Sequence, residues 1–445
     1  MTTSTSASAK AEPRTGGHGA TAGHATPEPL HRLALCRECD WLVRLPDRRP
    51  GQRARCPRCH HHLTGTAGRD AQAPMAWAIA ALIVLGLVFA FPFLGFSTHG
   101  VGHVMSFGDT MSALVGDGYG ALAVLLLATT VVFPGLYLAA LVYLCLGAGQ
   151  RRLPGAIPLA RLLRPLEPWM MSDVFIVGVL VSLIKIVSLA DIHIRVSFVA
   201  FCFYALLLLR TLTLIDWSAL WNAIAPRPAP DYRARPGASG RSQSLAACRA
   251  CDAPFAIDRD RRCPRCGKRR HGLRVDRIQL TWALLLTATL LYIPANLYPV
   301  LFTVTLGNAQ PQTIAAGVLH LAAAGDWPIA AVIFVASIMV PISKIVALTW
   351  LCLAARGRSG ASLARTRIYR ITEKIGRWSM IDVFVVAVLT TLVQAGALMA
   401  IEPGPGAAAF AGVVILTMIA ALSFDTRLLW PDYSDRPEAA PNDVL

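Results

Sequence analysis

The sequence predicts an all-α polytopic membrane protein: two tandem four-helix transmembrane repeats, eight spans, both termini cytoplasmic, each repeat preceded by a small cytoplasmic cysteine module. Three observations predict it. The 445 residues are 55% hydrophobic and only 15% charged, where a soluble chain carries about 25% charged residues. The mean hydropathy is +0.51. The two halves also repeat one another motif by motif. A water-soluble enzyme is excluded at this stage.

The spans come first, because a bilayer core needs about 20 apolar residues per helix. Met75–Phe96, Ala121–Leu146, Leu280–Phe302 and Ala407–Phe424 meet that length without a charge. Pro328–Leu353 carries one lysine, Lys344. Val174–Ala190 carries Lys185, Val196–Ile215 carries Arg210, and Val383–Ile401 is uncharged. That makes eight spans, four in each half.

Charge assigns the sides. Lys plus Arg is 42 against 26 Asp plus Glu, a net charge of +16. Of the 42, 36 fall in segments 1–74, 149–168, 222–279 and 356–377, while 97–119, 303–327 and 402–406 hold none. Only Arg195 interrupts the alternation. Basic loops stay on the cytoplasmic side, so the excess charge is topological and no nucleic-acid partner is expected.

The repeat has an offset of 207 to 212 residues. Pro92 answers Pro299 and Pro134 answers Pro341. Leu144-Cys145-Leu146 answers Leu351-Cys352-Leu353, and Asp216 with Trp221 answers Asp425 with Trp430. The third span of each half opens on W-x-M-x-D-V-F, at Trp169 and Trp378. Both tryptophans read as interfacial anchors. Four spans per half make the repeats parallel, related by an axis along the membrane normal.

Eight of the 11 cysteines form four C-x-x-C pairs. Cys36, Cys39, Cys56 and Cys59 make one set, and Cys248, Cys251, Cys263 and Cys266 the other. Two knuckles giving two thiolates each is the zinc-ribbon pattern, and four thiolates leave no open position for catalysis. Two structural Zn2+ ions, one per ribbon, are expected, with metal supplying the folding energy of modules too small for a core. An iron-bearing redox site of rubredoxin type is the alternative, suggested by the Cys-Pro-Arg-Cys-Gly ending of the second set. His60, His61 and His62 read as a solvated turn.

These assignments divide the chain into a disordered tail at 1–32, ribbon 1 at 33–65, repeat 1 at 75–221 and a linker at 222–244. Ribbon 2 follows at 245–272, repeat 2 at 278–430 and a second disordered tail at 431–445.

Ionisable groups at membrane depth are costly and mark function by default. Ser337 precedes Lys344 by two turns on one face, with Pro341 between them to open the helix. Ser379 and Asp382, three apart, share a face at the start of the seventh span. A Lys344–Asp382 pair between neighbouring spans lowers the burial penalty, and either relays a proton or is purely structural. In the first half Asp173 matches Asp382 and Lys185 lies deeper, but Tyr137 stands where Lys344 stands and Met170 where Ser379 stands. Arg210 reads as structural. No G-x-x-x-x-G-K-[ST], H-E-x-x-H or G-x-S-x-G appears, so the chain reads as non-enzymatic.

Duplicated ribbons, each followed by four spans with W-x-M-x-D-V-F opening the third, resemble the paraquat-inducible protein A family, LetA-type proteins included. The resemblance covers about residues 33–430. It implies a multi-pass protein of the Gram-negative inner membrane that works with a periplasmic MCE-domain tunnel protein to move phospholipid between inner and outer membranes. It also implies a polar pathway through Ser337, Lys344, Ser379 and Asp382, with Asp173 in the first half; Lys185 joins the candidates through its own charge at membrane depth. Tyr137 and Met170 depart from that pathway. The alternative reading is a zinc-ribbon membrane scaffold or regulator in envelope stress.

Overall fold

The computed structural model describes residues 28–430 except 30–32, 46–53, 64–71, 99–100, 117–119, 148–152, 187–190, 227–232, 258–261, 270–273, 306–307, 356–361 and 393–398. Most of the N-terminal tail and all of the C-terminal tail therefore lie outside the described residues. The end of the first is a short strand, β1 (Glu28–Pro29). Ribbon 1 contributes the hairpin β2 (Leu33–Leu35) and β3 (Leu42–Arg44).

Repeat 1 runs α1 (Gln72–Ala90), β4 (Leu94–Thr98), β5 (Val101–Met105), α2 (Phe107–Gly116), α3 (Gly120–Leu127), α4 (Phe133–Gly147), α5 (Ala156–Leu166), α6 (Ser172–Ile186), β6 (Asp191–Ile194), α7 (Val196–Leu214) and α8 (Trp217–Ile224). In the linker, β7 (Arg233–Ala234) pairs with β1. Ribbon 2 is the hairpin β8 (Leu245–Ala247) and β9 (Pro254–Ala256).

Repeat 2 then copies repeat 1 element for element up to the last span, with a short 3-10 turn at Thr426–Leu429 in place of α8. It runs α9 (Arg274–Leu297), β10 (Leu301–Thr305), β11 (Asn308–Gln312), α10 (Ile314–Ala323), α11 (Trp327–Phe334), α12 (Val340–Ala354), α13 (Ser362–Trp378), α14 (Ile381–Leu392), β12 (Met399–Pro403) and α15 (Pro405–Ser423).

The fold is predominantly helical, and among the described residues seven helical runs are long and apolar enough to cross a membrane. Hydropathy misplaced some ends. Helix α1 stops at Ala90, two residues before Pro92, and α9 at Leu297, two before Pro299, because the residue before proline disfavours the helical region. Phe96 and Phe302, expected inside spans, lie in strands. The expected span Val174–Ala190 is described as helix only to Ile186. Among the described residues, the expected span Val383–Ile401 is helical from Ile381 to Leu392, 12 residues or about 18 Å. Its last residues belong to strand β12. An apolar run bounded by prolines reads alike as helix or buried strand.

The Lys/Arg-free loops hold three-stranded antiparallel sheets. In each, the strand after the first helix is central: the orders are β5-β4-β6 and β11-β10-β12. Leu94 pairs with Met105 on one side and Ile194 on the other, and Leu301 with Gln312 and Pro403. Each sheet thereby ties the exit of the first helix to the entrance of the last. Those two helices, α1 with α7 and α9 with α15, pack along their length. The basic loops hold α5 and α13, both amphipathic and rich in arginine. The halves meet at α6 and α14, where Gly178 lets Phe384 approach so closely that a Cβ on residue 178 would stand 3.0 Å from it. Phe175 meets Phe384 edge to face there, inside one core that runs through both repeats.

Candidate functional site

Two kinds of site emerge, one in the ribbons and one in the membrane half of repeat 2. Both cysteine sets predicted from spacing close into clusters, each with all four Sγ atoms within 4.8 Å of one another. Cys36–Cys59 stand at 3.4 Å, and Cys39–Cys56, Cys248–Cys266 and Cys251–Cys263 at 3.5 Å. None is in a disulfide and all eight are buried. A tetrahedral ion with metal–sulfur bonds of about 2.3 Å sets an S–S edge of about 3.8 Å, so the donor set fits a metal ion in each cluster. Hydrogen bonds from Cys36 and its neighbours hold the Cys56 thiol far below its ordinary range, and those from Cys251 do the same for Cys248. The same contacts push Cys39 and Cys251 up, so the metal reading rests on the geometry of the four sulfurs.

The ribbons share a small core of Leu33, Leu35 and Leu42 with Ala234, Leu245, Ala247 and Ala256. Linker residue Ala238 accepts a backbone bond from Leu42 at 2.9 Å, so the linker seams the two modules together. Each ribbon then reaches the half of the chain that does not follow it, and ribbon 2 also holds the half that does, through Arg249 and Asp425 at 3.3 Å. Arg58 of ribbon 1 lies over Trp430 at the end of repeat 2, and Arg265 of ribbon 2 over Trp221 at the end of repeat 1. Arg370 of α13 donates to Glu38 through Nε at 2.7 Å and to the Cys59 carbonyl at 2.8 Å. Arg164 of α5 pairs with Asp252. Burial pushes Glu38 up, but the hydrogen bonds from His61 and Arg370 outweigh it and hold the carboxyl below the usual range. His61, expected to be a solvated turn residue, is the 2.8 Å partner of Glu38.

In the membrane half, matching positions of the repeats carry different chemistry. The second span of each repeat contains one turn of π-helix, Ala128–Val132 and Val335–Met339, just before Pro134 and Pro341. Proline removes the N–H that would bond four residues back. In repeat 1 the backbone there is bridged: Ser172 donates to the Thr130 carbonyl at 3.1 Å, and the Met171 N–H to that of Thr129 at 3.2 Å. In repeat 2 Ile381 stands where Ser172 stands, and the Met380 N–H turns to Arg377 instead.

The predicted polar residues fall on this turn and on the elements that pack near it. Ser337 lies within it and is buried; Lys344, 1% exposed, is on α12. The Lys344 ammonium donates to Thr417 Oγ1 on α15 at 2.9 Å. At the lysine, Thr417 takes the place in which the sequence put Asp382. Gly376 of α13 also faces the lysine: a Cβ there would stand 3.7 Å from Cε and 3.8 Å from Nζ. Ser379, in the turn between α13 and α14, is 1% exposed and its hydroxyl has no hydrogen-bond partner. Asp382 is half-buried in the first turn of α14.

Repeat 1 fills the same places differently. Tyr137 donates to Glu167 Oε1 at 2.9 Å, and the Trp217 indole N–H donates to the same oxygen at 2.9 Å. Glu167 answers Gly376, and Leu208 answers Thr417. Met170 is buried and apolar; Asp173 is half-buried at the start of α6. Lys185 falls on the last turn of α6, with its side chain outside the described residues. Sequence reading missed Thr417, Gly376, Glu167 and Trp217; aligning the repeats residue by residue would have shown the Glu167–Gly376 exchange.

The model of the family described as Paraquat-inducible protein A matches residues 71–225 and 278–434. The chain belongs to this family. It is 41% identical over 399 residues to "Intermembrane transport protein PqiA" of Escherichia coli (strain K12), covering 89% of this chain and 95% of that one. It is 32% identical over 406 residues to "Lipophilic envelope-spanning tunnel protein A" of the same strain, covering 89% and 90%. A "Probable intermembrane transport protein" of Haemophilus influenzae is 29% identical over 414 residues, covering 91% and 97%. No solved structure matches the chain. Family membership accords with the fold: a multi-pass membrane protein made of two like halves.

Proposed function

We propose that this protein is the inner-membrane component of a lipid transport system that moves phospholipid between the inner and outer membranes. Its termini and ribbons face the cytoplasm, its two sheets face the periplasm, and a periplasmic MCE-domain protein receives or delivers the lipid. The names of its relatives, intermembrane transport and envelope-spanning tunnel, support the class of activity. The observation that carries the reading is the Lys344 site. A buried ammonium is held by one hydroxyl and abuts a glycine, and three residues beyond that glycine a buried serine hydroxyl has no partner among the described residues. Buried polar groups are ordinarily satisfied, and in a membrane their cost makes such a cluster a point of contact for a polar cargo or a proton. Ser337, Lys344, Ser379 and Asp382 form the pathway, with Thr417 added; Asp173 and Lys185 mark its counterpart in the first half.

The ribbons hold zinc structurally in this reading, since four buried thiolates leave no position for substrate. Iron predicts visible absorption in the purified protein, and zinc none. A scaffold whose ribbons recruit cytoplasmic partners is less favoured, because the knuckles already engage Trp221, Trp430, α5 and α13.

The test is Lys344→Met, which keeps the aliphatic volume and removes the charge. Among the described residues no carboxylate pairs with the Lys344 ammonium, so taking away this buried charge relieves desolvation and membrane abundance stays normal or rises. Protection against envelope stress and co-purification of phospholipid with the MCE-domain partner should both disappear. Full activity at normal abundance overturns the pathway through the second half.

A further inference from the structure

Ribbon 1 and the Lys344 site lie far apart in sequence, yet one helix touches both. Helix α13 offers Arg370 to Glu38 and to the Cys59 carbonyl of ribbon 1. One residue earlier, the Tyr369 hydroxyl donates to the Ala421 carbonyl on α15 at 2.9 Å, one turn from Thr417. Six residues later Gly376 abuts Lys344, and Ser379 follows in the turn that ends the helix. A helix is stiff over this distance, so whatever fixes Arg370 fixes the wall of the lysine site.

The matching contact in the other half is incomplete. Arg161 answers Arg370, and its guanidinium approaches ribbon 2, with Nη2 3.1 Å from where a Cβ on Gly267 would stand. Ribbon 2 has Ala250 where ribbon 1 has Glu38, and among the described residues the buried Arg161 Nε has no hydrogen-bond partner. Helix α5 is held to ribbon 2 at a different position, through Arg164 and Asp252, three residues away from the one that matches Arg370.

We infer that ribbon 1 positions the Lys344 site across the chain through α13, with Arg370 and Glu38 as the positioning pair, and that Arg161, the matching residue of α5, has no such role toward repeat 1. This rests on the reading of Lys344 as the working site, but its test does not. Ser379→Cys replaces the unpartnered hydroxyl with a thiol of similar size, and Met170→Cys places one at the matching position of repeat 1. Both are made with Cys145, Cys202 and Cys352 changed to Ala, and labelling by N-ethylmaleimide in intact membranes is followed peptide by peptide.

Arg370→Ala and Glu38→Gln should each speed labelling at position 379 about tenfold, the factor given by a local opening easier by about 1.4 kcal/mol. Labelling at position 170 should stay within about twofold, since general loosening of the protein would raise both. Arg370→Lys, which keeps a charged donor, should restore most of the protection, and Arg161→Ala should change neither rate. Equal acceleration at both positions, or none at 379 with Arg370→Ala or Glu38→Gln, overturns the inference. If 379 responds as expected while Lys344→Met stays fully active, the positioning stands and the transport role of the site fails.

Discussion

Repeat 1 and repeat 2 share every element from α1/α9 to α7/α15, and both carry a π-turn before the proline of the second span. They differ in what sits around that turn. Repeat 1 closes it: Ser172 and Met171 bond to the backbone of the turn, and Tyr137, Glu167 and Trp217 share their hydrogen bonds. Repeat 2 places a lysine, a glycine and an unpartnered serine at the corresponding positions. Duplication has preserved the scaffold, and a handful of substitutions separate a half whose polar groups bond one another from a half with a buried lysine and an unpartnered hydroxyl among the described residues. A low local dielectric makes satisfied networks rigid and incomplete ones costly, so the polar cluster in repeat 2 is kept against stability.

The largest effect tests what the halves have in common. Cys36→Ser and Cys263→Ser each remove one thiolate from a closed cluster of four, and metal-linked folding free energy in such modules is about 10 kcal/mol or more. Either change should halve the metal bound per chain and sharply lower the amount of protein in the membrane. Metal analysis of the purified variants checks the first and immunodetection the second. A stable, abundant Cys263→Ser protein that has lost activity alone would instead place redox chemistry or catalysis in ribbon 2.

Next in size is the conversion of one half into the other. Lys344→Tyr with Gly376→Glu installs the Tyr137–Glu167 pair at its matching positions in repeat 2. A hydroxyl donating to a carboxylate contributes about 1.5–3 kcal/mol when formed, so the double variant should accumulate normally. It should nevertheless fail to protect cells against envelope stress, because the space and the charge beside Ser379 are gone. A double variant that protects like the parent chain would show that the difference between the halves is ornamental.

Much of this contrast was legible before the fold. The cysteine spacing specified both clusters, since C-x-x-C pairs have few other uses. Hydropathy specified the helices, because bilayer thickness demands long apolar runs. Lys344 announced itself as the one charge in an otherwise apolar run. The sheets did not, because β4 pairs with β6 and β10 with β12 almost a hundred residues away, and no local pattern encodes such a pairing. Thr417 looked like any threonine bonding its own helix, which it also does, at Val414. Gly376 matters through the side chain it lacks, a signal visible only beside Glu167. The exchange of ribbons between halves rests on tertiary contacts of Arg58, Arg265 and Arg370, and surface arginines in basic loops carry no address in sequence.

The smallest effect probes the closure of repeat 1 itself. Ser172→Ala removes the donor to the Thr130 carbonyl while leaving the Met171–Thr129 bond in place. Loss of one buried hydrogen bond with its acceptor left behind costs about 1 kcal/mol. For a unit of this size that lowers the melting temperature by about 2–4 °C, measurable in detergent by tryptophan fluorescence. Protection against envelope stress should not change, because repeat 1 does not carry the polar site. The matching substitution in repeat 2, Ile381→Ser, supplies a hydroxyl near the open π-turn and should move the melting temperature the other way by a similar amount. If the hydroxyl reaches the Ser337 carbonyl, it also stiffens the turn that holds the pathway. The comparison then predicts a protein that is more stable and less active, a combination that simple repacking of the core would not produce. A Ser172→Ala protein that loses protection outright would move the working site, or an essential part of it, into the first half.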